Sequence, residues 1–334
     1  MIRINHYPGC HPRIPLFRIL SFVLFISVSV AHTQWQQIPG TAKRNFSAMT
    51  GFGGTIFAAC EESVFSLRNA HVTRIIPIND IPATPVIALA AEPPILYVAT
   101  GRAIFRLLPD SEAWRMVALS PDTGFFSMAV WSGHVIAGTK DGKIIRIARD
   151  PGEESRTDQV AGMTTTLRSI ITVKGYLIAG SMGGGVFIND RSTDRWRSFS
   201  AGLPNRFIYS LAVDGSDILA GAVNGTICRA HPGSDRWKIA DRGLPYNAIR
   251  AICVVGSTAI AGTWGKGIYE ETDRKFEWCE ISEGLSGEDA ATVNAICVAG
   301  PYIFAATGDG LWCRPLSELA IPIENRRPAD IPEE

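Results

Sequence analysis

Two arginines, a tyrosine and an asparagine stand at matched places in this 334-residue chain, each at the head of a short apolar run: Arg168, Tyr209, Arg250 and Asn294. A guanidinium pair with a phenol beside it is suited to clamping a carboxylate or phosphate, because the planar fork donates two parallel hydrogen bonds to two oxygens. The competing expectation is that these groups solvate an opening and pair with local acids. Further polar and aromatic residues fall in the turns nearby: Arg206, Tyr246, Lys266 and Asp309, with Trp264 on a Gly-rich turn. A large aromatic on such a turn can serve as a stacking platform for a sugar ring or a partner's side chain, or lie flat over its neighbours. Arginines and lysine would meet an acidic group, and the aromatics would act as apolar anchors.

Hydrolytic chemistry has thinner support. Glu288 and Asp309 could form a carboxylate pair for proton transfer on a glycan, a hydrolase or lyase reading that stands as the alternative. No catalytic residue is assigned. His32, His71, His134 and His231 are scattered along the chain, and no Cys-x-x-Cys spacing occurs, so neither a metal site nor a cofactor is expected. The Gly183-Gly184-Gly185 run lacks the helix and Lys-Ser/Thr of a phosphate loop and reads as a hairpin.

What must position these residues is a repeat. A three-residue signature returns as Ala58-Ala59-Cys60, Val98-Ala99-Thr100, Ala137-Gly138-Thr139, Ala179-Gly180-Ser181, Ala220-Gly221-Ala222, Ala261-Gly262-Thr263 and Ala305-Ala306-Thr307. The period is close to 40, and short β-branched runs bounded by glycine turns fill it. That combination predicts a β-propeller with one four-stranded blade per repeat. Copies begin near residues 46, 86, 125, 167, 208, 249 and 293. Within residues 249–285 the strands are expected at Ile249–Val255 (A), Ala259–Thr263 (B), Ile268–Glu271 (C) and Phe276–Ile281 (D). Continuous apolarity in A and B indicates strands covered on both faces.

The last copy stops after its third strand, and the missing fourth lies at the other end of the chain. Trp35-Gln36-Gln37-Ile38-Pro39-Gly40 matches the pattern of Trp278-Cys279-Glu280-Ile281. The sequence therefore predicts an all-β, seven-bladed β-propeller of four-stranded antiparallel blades, the last closed by the N-terminal strand, which removes exposed sheet edges. Loops joining D to the next A, and B to C, then share one face around the channel mouth. The residues heading the A strands, Phe46, Ile87, Phe126, Arg168, Tyr209, Arg250 and Asn294, are expected to point there. Trp35, Trp114, Trp196, Trp237 and Trp278 repeat in register and are expected to pack the blades.

The unit Ile-x-Ser/Ala-Ile/Leu, Ile-Ala-Gly-Thr, Gly-Gly-Ile/Val-Phe/Tyr, Trp, Gly-Leu-Pro resembles exported bacterial propellers related to the BNR/Asp-box repeats. It is similar also to photosystem II assembly factor propellers and to two-component-regulator propellers. The resemblance covers nearly the whole chain beyond residue 31 and implies the blade, while these families differ in what they bind. Ser192-Thr193-Asp194-Arg195-Trp196 and Ser234-Asp235-Arg236-Trp237 keep the acid and tryptophan of an Asp-box but lose its glycine. The arginine cluster, tyrosine–glutamate nucleophile and acid/base aspartate of sialidase-like relatives cannot be placed as a set.

Residues 1–31 read as a signal peptide: Arg3, Arg13 and Arg18, then the apolar Ile19–Val30, then Ser29-Val30-Ala31 as a small-x-small cleavage signal. A retained anchor is the competing reading. Residues 32–317 are expected to form the propeller, and 318–334, with Pro322, Pro328 and Pro332, a disordered tail. No transmembrane segment follows cleavage. Without the leader's three arginines the 32 basic residues fall to 29 against 32 acids, which gives no electrostatic case for nucleic acid. The six remaining cysteines follow the repeat and are expected to be mostly free, buried thiols. The expectation is a monomeric, exported protein, periplasmic or extracellular. It would be non-enzymatic and bind a protein or glycan partner at the cell envelope through its channel-mouth face.

Overall fold

The computed structural model describes residues 34–319, apart from 62, 79–84, 109–112, 121–123, 149–154, 160–162, 191–193 and 275. The expected leader, residues 1–31, lies outside the described residues, as do residues 320–334 of the expected tail. Among the described residues no helix is long and apolar enough to cross a membrane.

Seven four-stranded antiparallel sheets are arranged as blades, with strand A innermost and D outermost. The A strands are Phe46–Phe52, Val86–Glu92, Phe125–Trp131, Leu167–Val173, Ile208–Asp214, Ile249–Val255 and Val293–Ala299. Each begins at the residue where the repeat predicts a copy to start. In blade 6, strand C runs Ile268–Glu271 as expected, and strand D shortens to Trp278–Glu280.

The recurring signature has a mechanical cause at each of its places. It ends strand B, and its middle residue faces the head of the next blade's strand A. A Cβ on Gly180 would lie 2.7 Å from Ile208 Cγ2, and one on Gly221 would lie 2.6 Å from Ile249 Cγ2. Blade-to-blade contact there admits only glycine or, in blades 1, 2 and 7, alanine. Where it carries a hydroxyl, the third residue staples the following turn. Thr139, Ser181, Thr263 and Thr307 donate from their hydroxyls to the carbonyls of Lys143, Gly185, Gly267 and Gly310 at 3.1, 3.0, 2.8 and 2.9 Å.

The D-strand tryptophans join neighbouring blades, as the register argument predicts. The indole N–H of Trp237 donates to Phe199 O at 2.6 Å and that of Trp278 to Ala240 O at 2.7 Å. Trp35 donates to Ile281 O at 2.8 Å and Trp114 to Pro77 O at 3.2 Å. Trp196 differs and reaches the Asp158 carboxylate at 3.4 Å. Here the joint is ionic: Arg146 and Arg156 each bridge Asp158 and Asp194, at 2.5 to 2.9 Å.

The ring closes through the N-terminal strand Gln36–Gln37, which pairs antiparallel with Gly310–Pro315 in the register Gln36↔Cys313 and Gln37↔Trp312. Ile38 N donates to Leu311 O at 2.8 Å, and the Gln37 side chain to Asp309 O at 2.9 Å. Trp35 and Leu319 are both buried in the cluster that joins blades 6 and 7. All six described cysteines are free thiols. Cys60, Cys228 and Cys313 are buried and Cys279 is exposed.

Candidate functional site

The channel mouth is built by one repeated irregularity. In every blade the A–B register slips between the first and third residues of strand A, which leaves the second residue outside the ladder. A bulge of this kind bends the strand and re-aims the extra side chain. The seven bulged residues are Ser47, Ile87, Phe126, Arg168, Tyr209, Arg250 and Asn294, and all line one central cavity of about 690 Å³. Phe46, expected in this ring, is instead fully buried as the first core residue of blade 1, and Ser47 takes the ring position. The aromatic likeness of Phe46 to Phe126 sets the alignment one residue out, because Phe46 is the counterpart of Phe125.

The ring is chemically divided. Blades 2 and 3 present Ile87 and Phe126; blades 4 to 7 present Arg168, Tyr209, Arg250 and Asn294. The Arg168 guanidinium sits between two rings, 4.9 Å from the Phe126 centroid and 5.1 Å from that of Tyr209. Arg250 lies over Trp264 at 5.3 Å. Among the described residues neither arginine has an ion-pair partner, and Arg250 Nε is buried without any hydrogen-bond acceptor. Burial pulls the affinity of Arg168 for its proton below the ordinary arginine value, the like charge of Arg250 adds to this, and Tyr209 opposes it. Burial lowers Arg250 likewise, against the opposing influence of Tyr209 and Asp289. Both retain their charge, since an arginine starts far above neutral pH.

Asn294 has a positioning task. Its amide donates to Phe46 O at 2.8 Å and to Asn45 Oδ1 at 3.1 Å, tying blade 7 to blade 1, while its own Oδ1 is left without a partner.

The surrounding loops are stiffened by hydrogen bonds to each other. Trp264 N donates to Ala248 O at 2.9 Å, and Trp264 O accepts from the Asn247 side chain at 3.0 Å. Gly183 and Gly185 both donate to Arg206 O, at 3.1 and 3.0 Å. Function favours such loops because a rigid scaffold fixes their side chains. Outside the ring, Phe207, Tyr246 and Trp264 are 49, 85 and 52 % exposed, an aromatic crescent over blades 4 to 6. The Arg206 side chain is exposed beside it.

The structure thus brings Arg168, Tyr209, Arg250, Asn294 and Trp264 together at the mouth, with Arg206 and Tyr246 on loops beside it. Lys266 stands apart, exposed over a shallow groove with Glu280 and Glu283. Asp309 is engaged at the seam of the ring, where its carboxylate accepts from Lys43 N at 2.6 Å. Asp289, beside Glu288 on a D–A loop, also lines the cavity, and so does Ser47, which is absent from the expected ring. Correct alignment of the repeats would have found Ser47. Asp289 lies in a D–A loop, where the repeat carries no register.

No family model matches the sequence, and no curated protein matches it significantly. Solved structures do match in shape. The extracellular domain of the putative hybrid two-component system BT4673 from B. thetaiotaomicron superposes with a TM-score of 0.69 at 16 % identity, over 84 % of this chain. The match spans only 39 % of that domain's length. YCF48 from Cyanidioschyzon merolae gives 0.66 at 12 % identity, over 85 % of this chain and 99 % of that one. The WD40 repeats of RRP9 give 0.69 at 12 % identity, over 85 % and 98 %. At these identities the likeness is one of fold.

Proposed function

We propose that this chain is an exported, non-enzymatic propeller that docks a protein or glycan partner on its channel-mouth face, as a binding or sensing module. The observation that carries the reading is the pairing, on one face, of exposed aromatics with two arginines that have no ion-pair partner among the described residues. Exposed aromatics on rigid turns serve as apolar anchors, and tryptophan, tyrosine and arginine dominate binding energy where partners meet. The fold shared with the extracellular domain of a putative two-component system is compatible with a sensing or docking role.

The test is capture from a cell-envelope extract by the purified protein, run beside a Tyr246→Ala/Trp264→Ala variant and an Arg168→Ala/Tyr209→Ala/Arg250→Ala variant. A partner held by the parent and lost by either folded variant supports the reading. A partner retained by both places docking elsewhere on the propeller and overturns it. For export, mass spectrometry of the protein is expected to find a first residue near His32, and an intact Met1 would overturn cleavage.

A further inference from the structure

Arg168 and Arg250 pose a physical problem. Charged side chains are rarely taken out of water unless something pairs with them, because the desolvation cost is several kcal/mol per ion. Here two like charges share one cavity wall, both partly buried, and among the described residues neither has an ion-pair partner: Phe126 and Tyr209 flank one, Trp264 flanks the other, and Asp289 acts on Arg250 only from a distance. Ring faces offset part of that cost, roughly 0.5–2 kcal/mol per contact. They leave the in-plane N–H donors free, and the Nε of Arg250 is buried with no acceptor. Contact with the rings also restrains each guanidinium, which limits the directions those donors can take.

Below the arginines the wall changes character. The hydroxyls of Ser127 and Ser210 are already engaged across the blade joints, donating to Leu167 O and Ile249 O at 2.8 Å each. The lining also includes Met49, Met128, Ile170 and Leu211, the last three largely buried in the blade joints. Ile87 and Phe126, with the edges of Met49 and Met128, offer an apolar group contact on one side, and about 690 Å³ is the size of a small-molecule site.

We propose that the channel mouth binds a small organic anion, with a carboxylate or phosphate head held by Arg168 and Arg250 and an apolar body directed into the channel past Ile87, Phe126 and Met128. The inference rests on the reading of this face as the binding face and gives it a ligand class. It does not depend on a macromolecular partner.

The experiment is titration calorimetry of the full-length exported protein with hexanoate, hexyl phosphate, hexanamide, acetate and inorganic phosphate. Hexanoate or hexyl phosphate is expected to bind at least about tenfold more tightly than hexanamide and than the matching headless or tailless probe. Whichever of the two binds better identifies the head. Arg168→Gln and Arg250→Gln are each expected to weaken that binding about tenfold while keeping or raising the melting temperature, because each removes one of two like charges in a partly buried site. Binding of hexanamide as tight as that of hexanoate would overturn the role of the arginines. Equal binding of acetate or inorganic phosphate would overturn the apolar body, and no binding by any probe below about 10 mM would overturn the site. In that last case capture of a partner through Tyr246 and Trp264 would still stand, so the two readings fail separately.

Discussion

The guanidinium of Arg250 lies 5.3 Å from the ring centroid of Trp264, yet its Nε finds no acceptor. The tryptophan therefore orients the arginine without neutralising it. Trp264 is half exposed and makes this contact from a turn held by its own backbone. Trp264→Ala is expected to change stability by less than about 1 kcal/mol in urea melts. The same variant is expected to weaken binding at the mouth, and unaltered binding would show that the stack does not position Arg250.

The equivalent test of a packing tryptophan has the opposite profile. Trp278 is buried, and its indole N–H satisfies Ala240 O at 2.7 Å across the blade joint. Trp278→Phe leaves that carbonyl unpaired and a gap beside it, at a cost of about 2–3 kcal/mol. Urea denaturation reads the loss, and binding at the mouth is expected to be unchanged.

Gly221 sets how closely blades 5 and 6 approach. A Cβ there meets Ser210 Oγ at 2.5 Å and Ile249 Cγ2 at 2.6 Å. Gly221→Ala should destabilise by about 1–3 kcal/mol through overpacking, although alanine has the better strand backbone. Because Ile249 heads the strand that carries Arg250, anion binding is expected to weaken with it. A neutral melting temperature would show that the joint yields.

Titration of the thiols makes a separate prediction. Burial pushes Cys228 and Cys253 up to about 12 and Cys297 and Cys313 up to about 11, from an ordinary 9.0. Raised values mean that the fold favours the neutral thiol. Their contribution to stability is complete below pH 9.0 and is lost as pH rises through about 11 to 12. Alkaline unfolding should start above pH 9, and iodoacetamide at pH 8 should label Cys279 well before the other five. Rapid labelling of Cys253 or Cys297 would show that the channel admits reagent to them.

At the joint of blades 3 and 4 the sign reverses. Burial alone would raise Asp194, but hydrogen bonds and charge from Arg146 and Arg156 outweigh it and hold the carboxyl below its ordinary 3.8. That stabilisation is present above pH 3.8 and fades as pH falls through the lowered value. Asp194→Asn should lower stability at neutral pH and flatten its acid dependence, read by melting temperature from pH 7 to pH 2.

The fold was legible because a propeller writes each of its constraints many times. The start of every A strand, the covered B strands and the closing role of Trp35–Gly40 follow from residues recurring at one period. The ring residues of blades 2 to 7 were legible for the same reason, being one position in that repeat. What lay beyond reach was anything that happens once. No periodicity tells that Arg168 stands between Phe126 and Tyr209, or that no described acid pairs with it, since those depend on side chains from neighbouring blades. Asp309, a B–C turn residue like any other in the sequence, belongs to the closure because its carbonyl accepts from the Gln37 side chain and its carboxylate from Lys43 N, both near the other end of the propeller's chain. Bulges also leave no mark in composition, although they decide which residues of the A strands see the cavity.

The closure at Gln36↔Cys313 and Gln37↔Trp312 has a mechanical consequence. Neighbouring blades elsewhere are linked by continuous chain, whereas inside blade 7 the chain's two ends are joined by two residue pairs and the side chains around them. A force drawing residues 34 and 319 apart is therefore carried by that one seam before it reaches any other blade. The molecule should open there as a clasp does, with six blades still standing, and its resistance to tension is that of the clasp and not of the ring.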